Sequence, residues 1–82
     1  MKVFNPRKSM VIDASSPHPD NTQYKISIGD EEWDGESHLV VKVQIMYNGK
    51  VAGRKSPSYP IDSDDYMKVC ETINTLVEEF KR

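Results

Sequence analysis

Two groups of residues have the types and spacing to do chemistry. The first is cationic: Lys42, Arg54 and Lys55, with Lys25 on an earlier segment and Gln44, Met46 and Tyr59 interleaved. Cations that grip phosphates, alternating with side chains on which bases can stack, are what a platform for single-stranded nucleic acid requires. The second is acidic: "DEEWDGE" sets Trp33 among Asp30, Glu31, Glu32, Asp34 and Glu36. A tryptophan ringed by carboxylates can serve as the aromatic anchor of a protein contact. Each group also has a plainer reading. An uncovered sheet face must be polar in any case, and an acidic turn can be held by its tryptophan without any ligand.

Catalysis and metal binding find less support. His18 sits in a proline-rich stretch, His38 at a strand entry, and Cys70 on what reads as the apolar stripe of a helix. Nothing in their spacing pairs a nucleophile with a base, or gathers a zinc ligand set. Asp30, Glu32, Asp34 and Gly35 imitate the opening of a calcium loop. The twelfth position, which must supply a bidentate glutamate, is Val41. The expectation is a non-enzymatic protein with no cofactor and no metal.

The elements that must position these groups follow from periodicity. "QYKISIG", residues 23–29, alternates Tyr24, Ile26 and Ile28 against polar neighbours, the pattern of a half-buried strand. In "SHLVVKVQIMYNGKVAG" one face carries Leu39, Val41, Val43, Ile45 and Tyr47, and the other Val40, Lys42, Gln44 and Met46. Asn48-Gly49 supplies the two positive φ angles of a type I′ turn, so Tyr47 should pair with Lys50, Ile45 with Ala52 and Val43 with Arg54. Putting Arg54 on a buried face implies that this strand has passed the edge of the core by then. One of Arg54 and Lys55 should therefore point to the uncovered side.

From Ile61 onward Tyr66, Val69, Cys70, Ile73, Leu76, Val77 and Phe80 recur at helical spacing. Asp62 reads as the N-cap, Asp65 as its capping-box partner, and Ile61 with Tyr66 as a hydrophobic staple. The fold class is α+β: a twisted antiparallel sheet of about four strands with one C-terminal amphipathic helix packed on one face. Residues 1–9 read as an N-terminal arm, 10–61 as the sheet with its loops and 62–82 as the helix, all within one domain.

A chain of 82 residues and 9.4 kDa has room for one core and little for an enclosed pocket. Its net charge of -2 hides a strong unevenness: +2 over residues 1–13, -5 over 14–36, +4 over 37–61 and -3 over 62–82. The lone cysteine forms no internal disulfide, and no segment has the length and apolarity of a signal peptide or a membrane span. A cytoplasmic protein with no membrane partner is expected.

The run from His38 to Ile73 resembles the last half of the positive-cofactor type of transcriptional coactivators, the whirly-like binders of single-stranded DNA. The matching pieces are Val41, Val43, Ile45 and Tyr47, then Gly53-Arg54-Lys55, Ile61 and Tyr66. The resemblance implies a homodimer built on the helices, with Lys42, Arg54 and Lys55 lining a nucleic-acid channel. The same hairpin and helix also look like the second half of a double-stranded-RNA-binding domain. That family needs cations at the helix N-terminus, where Asp62, Asp64 and Asp65 would repel phosphate. The first reading is a small binding protein that takes single-stranded nucleic acid on the open sheet face; the alternative is a protein-interaction module or small inhibitor, of the phage or mobile-element type, that works through the acidic Trp33 loop.

Overall fold

The computed structural model describes residues 3–82. Four antiparallel strands, β1 (Phe4–Asp13), β2 (Thr22–Trp33), β3 (Glu36–Tyr47) and β4 (Lys50–Val51), form one open sheet in the order β1-β2-β3-β4. One helix among the described residues, α1 (Asp65–Lys81), follows, and the fold is α+β. Two Asx-Gly pairs set the registers. Asp34 and Gly35 (φ 52° and 82°) join β2 to β3, and Asn48 and Gly49 (φ 51° and 81°) join β3 to β4. Both are type I′ geometry, whose twist matches that of the strands. The first turn fixes Trp33 opposite Glu36 and therefore Glu31 opposite His38, Ser27 opposite Lys42 and Lys25 opposite Gln44.

The alternation of β2 and β3 then assigns the faces. Tyr24, Ile26, Ile28 and Ile45 are buried on one side with Val69 and Leu76 of α1, and Ile12, Val43, Tyr59, Ile73, Val77 and Phe80 pack around them. Each such side chain contributes roughly 1.5–3 kcal/mol by leaving water. The helix lies over β1 and β2, and Lys8 of β1 pairs with Glu79 of α1 at 3.1 Å. Among the described residues, no helix lies on the opposite face.

Four boundaries differ from the sequence reading. The arm expected over residues 1–9 is part of β1 from Phe4 onward, while Met1 and Lys2 lie outside the described residues. A register shift between Pro6 and Lys8, centred on Arg7, lets the strand pass its proline, and an edge strand can accommodate such a residue. The acidic "turn" is mostly strand, because β2 runs through Asp30, Glu31 and Glu32 to Trp33. The last strand is only two residues long. Tyr47 pairs with Lys50, the Ala52 amide still donates to the Ile45 carbonyl, and the chain leaves the sheet before Arg54 can face Val43.

The fourth difference is at the helix start. Asp62 does not cap the helix, and Ile61 is 95% exposed, so no staple forms. Asp65, expected to face the helix terminus, is buried instead. Its carboxylate accepts hydrogen bonds from the Ser15 amide (2.9 Å) and hydroxyl (2.5 Å) and from the Tyr24 hydroxyl (2.6 Å). A buried carboxylate with three donors is better satisfied than one capping an exposed helix end.

Candidate binding face

With the helix on the Tyr24 side, the other side of the sheet presents Gln23, Lys25, Ser27, Glu31 and Trp33 from β2 and Glu36, His38, Val40, Lys42, Gln44 and Met46 from β3. Lys25, Lys42 and Gln44 therefore stand on the uncovered face. Their neighbourhood differs from that of a simple cationic strip. Lys42 donates to Glu31 in a short ion pair, and its ammonium lies 5.0 Å from the centroid of the Phe4 ring. The other oxygen of Glu31 accepts the indole N–H of Trp33 at 2.6 Å. Glu31 is 7% exposed, a buried acid on a face that was expected to be basic.

This carboxylate joins the two candidate groups into one cluster. Trp33 is 41% exposed and stacks on His38, with ring centroids 4.7 Å apart and planes at 29°. Glu36 approaches the His38 ring at 3.8 Å. Asp30 points the other way and is held by Arg7 at 2.7 and 3.0 Å, so it takes no part in the Trp33 corner. Glu32, two residues on, lies on the same side as Asp30, and Asp34 is exposed in the turn next to Trp33. The result is a fixed aromatic surface with an acidic border.

The remaining cations are dispersed. Lys55 turns towards the helix side, where its ammonium lies 5.3 Å from the Tyr47 ring centroid. Arg54 is exposed in the turn that follows β4. Tyr59 leaves the open face altogether. Its ring packs 5.2 Å from that of Tyr24 in the core, and burial pushes its hydroxyl pKa upward. Of the six residues expected on the basic platform, Lys25, Lys42 and Gln44 share the face, and Arg54, Lys55 and Tyr59 do not join them.

A depression of about 530 Å³ lies away from both groups, between the loop after β1 and the Asn48-Gly49 turn. It is lined by polar loop residues including His18 and Asp20. His18 is bonded through Nε2 to the Ser58 carbonyl at 2.8 Å.

Glu31, His38 and Phe4 were not expected to act together. The signal that could have found two of them is Asp34-Gly35. A two-residue turn there dictates that Glu31 faces His38 and that both share a face with Trp33 and Lys42. Phe4 carries no comparable signal, because its position depends on the bulge at Arg7. Compared with known proteins, the chain matches no family model, no curated protein and no solved structure.

Proposed function

We propose that this chain is a non-enzymatic binding protein that docks a protein partner on the Trp33–His38 corner of its open sheet face. The observation that carries the reading is the clamp on Trp33: its N–H is fixed by Glu31, its ring is stacked on His38, and two-fifths of its surface still meets solvent. A half-exposed aromatic whose conformation is already fixed loses little entropy on binding, which is the property of an interface anchor. Glu36 on the same face and Asp34 in the adjoining turn border it, so the complementary surface is apolar at its centre and cationic at its rim.

Single-stranded nucleic acid on the other half of the face is the second reading, favoured by Lys25 and Gln44 standing directly opposite each other with no helix above them. The resemblance to the whirly-like coactivators points the same way. Lys42 weakens it, because the ammonium needed for phosphate is already neutralised by Glu31.

Affinity capture on the immobilised wild-type chain, with the captured protein then purified and titrated directly, separates the two. Trp33→Ala and the pair Asp34→Asn with Glu36→Lys should each weaken that titration about twentyfold or more, the scale of a lost hot spot. Equal capture by wild type and Trp33→Ala would remove the corner as the contact. Salt-sensitive binding of oligo-dT by the wild type, lost in Lys25→Glu, would replace this reading with the second.

A further inference from the structure

The sheet has two edges, and they are built differently. The β1 edge carries Pro6, a bulge at Arg7 and the Arg7-Lys8 cation pair, devices that discourage another strand from pairing. The β3 edge carries none of these. Since β4 pairs only with Met46 and Tyr47, the stretch of β3 from Glu36 to Gln44 has, among the described residues, no strand on its outer side. Lys42 is the one cation on this stretch, and it is held inward on the open face by Glu31.

Hydrogen-bond geometry identifies which groups this edge presents. Tyr47 flanks the two-residue turn into β4, and the Ile45 carbonyl accepts from Ala52, so odd-numbered residues of β3 aim their amides and carbonyls away from β2. Glu36, next to the turn into β2, sets the even-numbered residues facing β2. Ser37, Leu39, Val41 and Val43 thus offer a row of outward N–H and C=O groups. On the helix side the edge is apolar as well. Because α1 covers β1 and β2, Leu39 and Val41 remain 54% and 41% exposed, beside a crevice of about 250 Å³ that Val77 and Phe80 also line.

We propose that a second copy of this chain occupies this edge, with β3 pairing antiparallel to itself about Val40 and the two sheets becoming one. This register alone engages all of Ser37, Leu39, Val41 and Val43 on both copies. It sets Leu39 against the partner's Val41 on the apolar side, so each copy covers the other's exposed strip. On the open face it places Glu36 opposite the partner's Gln44 and diagonal to the partner's Lys42, an attraction repeated on both sides of the two-fold axis. His38 falls opposite the partner's Lys42, an uncharged contact while the imidazole is neutral. The interface shares Glu36 and His38 with the border of the Trp33 corner and borders Val77 and Phe80 of the helix, while Trp33 itself stands on β2, away from the paired edge.

Sedimentation equilibrium on the full chain tests the assembly, and a substitution chosen from the hydrogen-bond pattern tests the edge. The wild type should sediment at twice 9.4 kDa. Val41→Pro removes an outward N–H without touching the ladder to β2, so it should sediment as a monomer with its far-ultraviolet circular dichroism unchanged. Leu39→Lys serves as a second variant should the proline disturb folding, and it should also give a monomer. The register is tested by Val40→Cys in a Cys70→Ser background. Residues facing each other across the axis in a non-hydrogen-bonded pair have Cα atoms about 4.5 Å apart, so mild oxidation should give a covalent dimer. Lys50→Cys in the same background, on β4, should not. A wild type that remains monomeric at high concentration, or a folded Val41→Pro and Leu39→Lys that both stay dimeric, would overturn the proposal.

Discussion

At the scale of single residues, the largest unexpected commitment is Asp65. Burial by itself would raise its carboxyl pKa, but the hydrogen bonds from the Ser15 side chain and backbone and from Tyr24, with the charge of His18, outweigh it and hold the group below the ordinary carboxylate range. Burial first, then the hydrogen bond to Asp65, keep the Tyr24 hydroxyl protonated far above the usual phenol range. Asp65→Ala strands the two Ser15 donors and leaves the Tyr24 hydroxyl only the Ser58 carbonyl at 3.1 Å, and should cost about 2–4 kcal/mol in urea unfolding, whereas Tyr24→Phe, which removes one donor with its shape kept, should cost about 1–2 kcal/mol. A depressed native pKa means that the unfolded chain binds the proton more tightly, so this stability is present above the unfolded value of about 3.9 and is lost as pH falls through it towards the native value. Urea midpoints measured from neutral pH downward should therefore fall below about pH 4 in the wild type and fall less in Asp65→Asn. Sequence alone placed Asp65 at the right helix turn with the wrong partner. An acid three residues after a possible cap satisfies a local rule equally well whether it faces its own helix or a loop fifty residues away.

At the scale of elements, periodicity was a sound guide wherever a face is buried. The alternation of Tyr24, Ile26 and Ile28 and the helical stripe from Val69 to Phe80 correspond to the observed core. It failed where burial no longer constrains the pattern. The end of β2 is acidic yet extended, because Asp30 and Glu31 find cations in Arg7 and Lys42. The strand β1 contains Pro6 and is mostly exposed, so it has no alternation to detect. Its place depends on Gly29, where a Cβ would stand 2.3 Å from the Asn5 carbonyl oxygen and 2.7 Å from the Pro6 Cα. Those neighbours are backbone and cannot swing aside. Gly29→Ala should thus displace the first residues of β1 and destabilise the fold by roughly 1–3 kcal/mol, an overpacking cost readable from thermal unfolding. Gly35→Ala, with open space around it but a φ of +82°, should cost only about 1 kcal/mol, through backbone strain alone. A larger loss at Gly35 than at Gly29 would mean that the turn, and not the β1–β2 contact, limits stability.

At the scale of the whole molecule, the uneven charge seen along the sequence turns into a division of one face. The acidic segment and the basic segment do not form opposite surfaces. They meet at Glu31, which cancels Lys42 and holds Trp33 in the same contact. Neutralising that carboxylate should therefore change both halves at once. In Glu31→Gln the indole N–H keeps an acceptor while Lys42 loses its counter-charge, leaving two cations, Lys25 and Lys42, on the open face beside Gln44. Oligo-dT should leave the fluorescence of Trp33, the only tryptophan of the chain, unchanged in the wild type even at low salt. The Glu31→Gln variant should gain a weak response, and each additional phosphate contact should add about 0.7 to the slope of log affinity against log salt. If both proteins ignore the oligonucleotide, the electrostatic barrier lies in Glu32, Asp34 and Glu36 and not in the Glu31 ion pair. If the wild type binds as tightly as the variant, Lys42 was never withheld from the face, and the objection to the nucleic-acid reading falls.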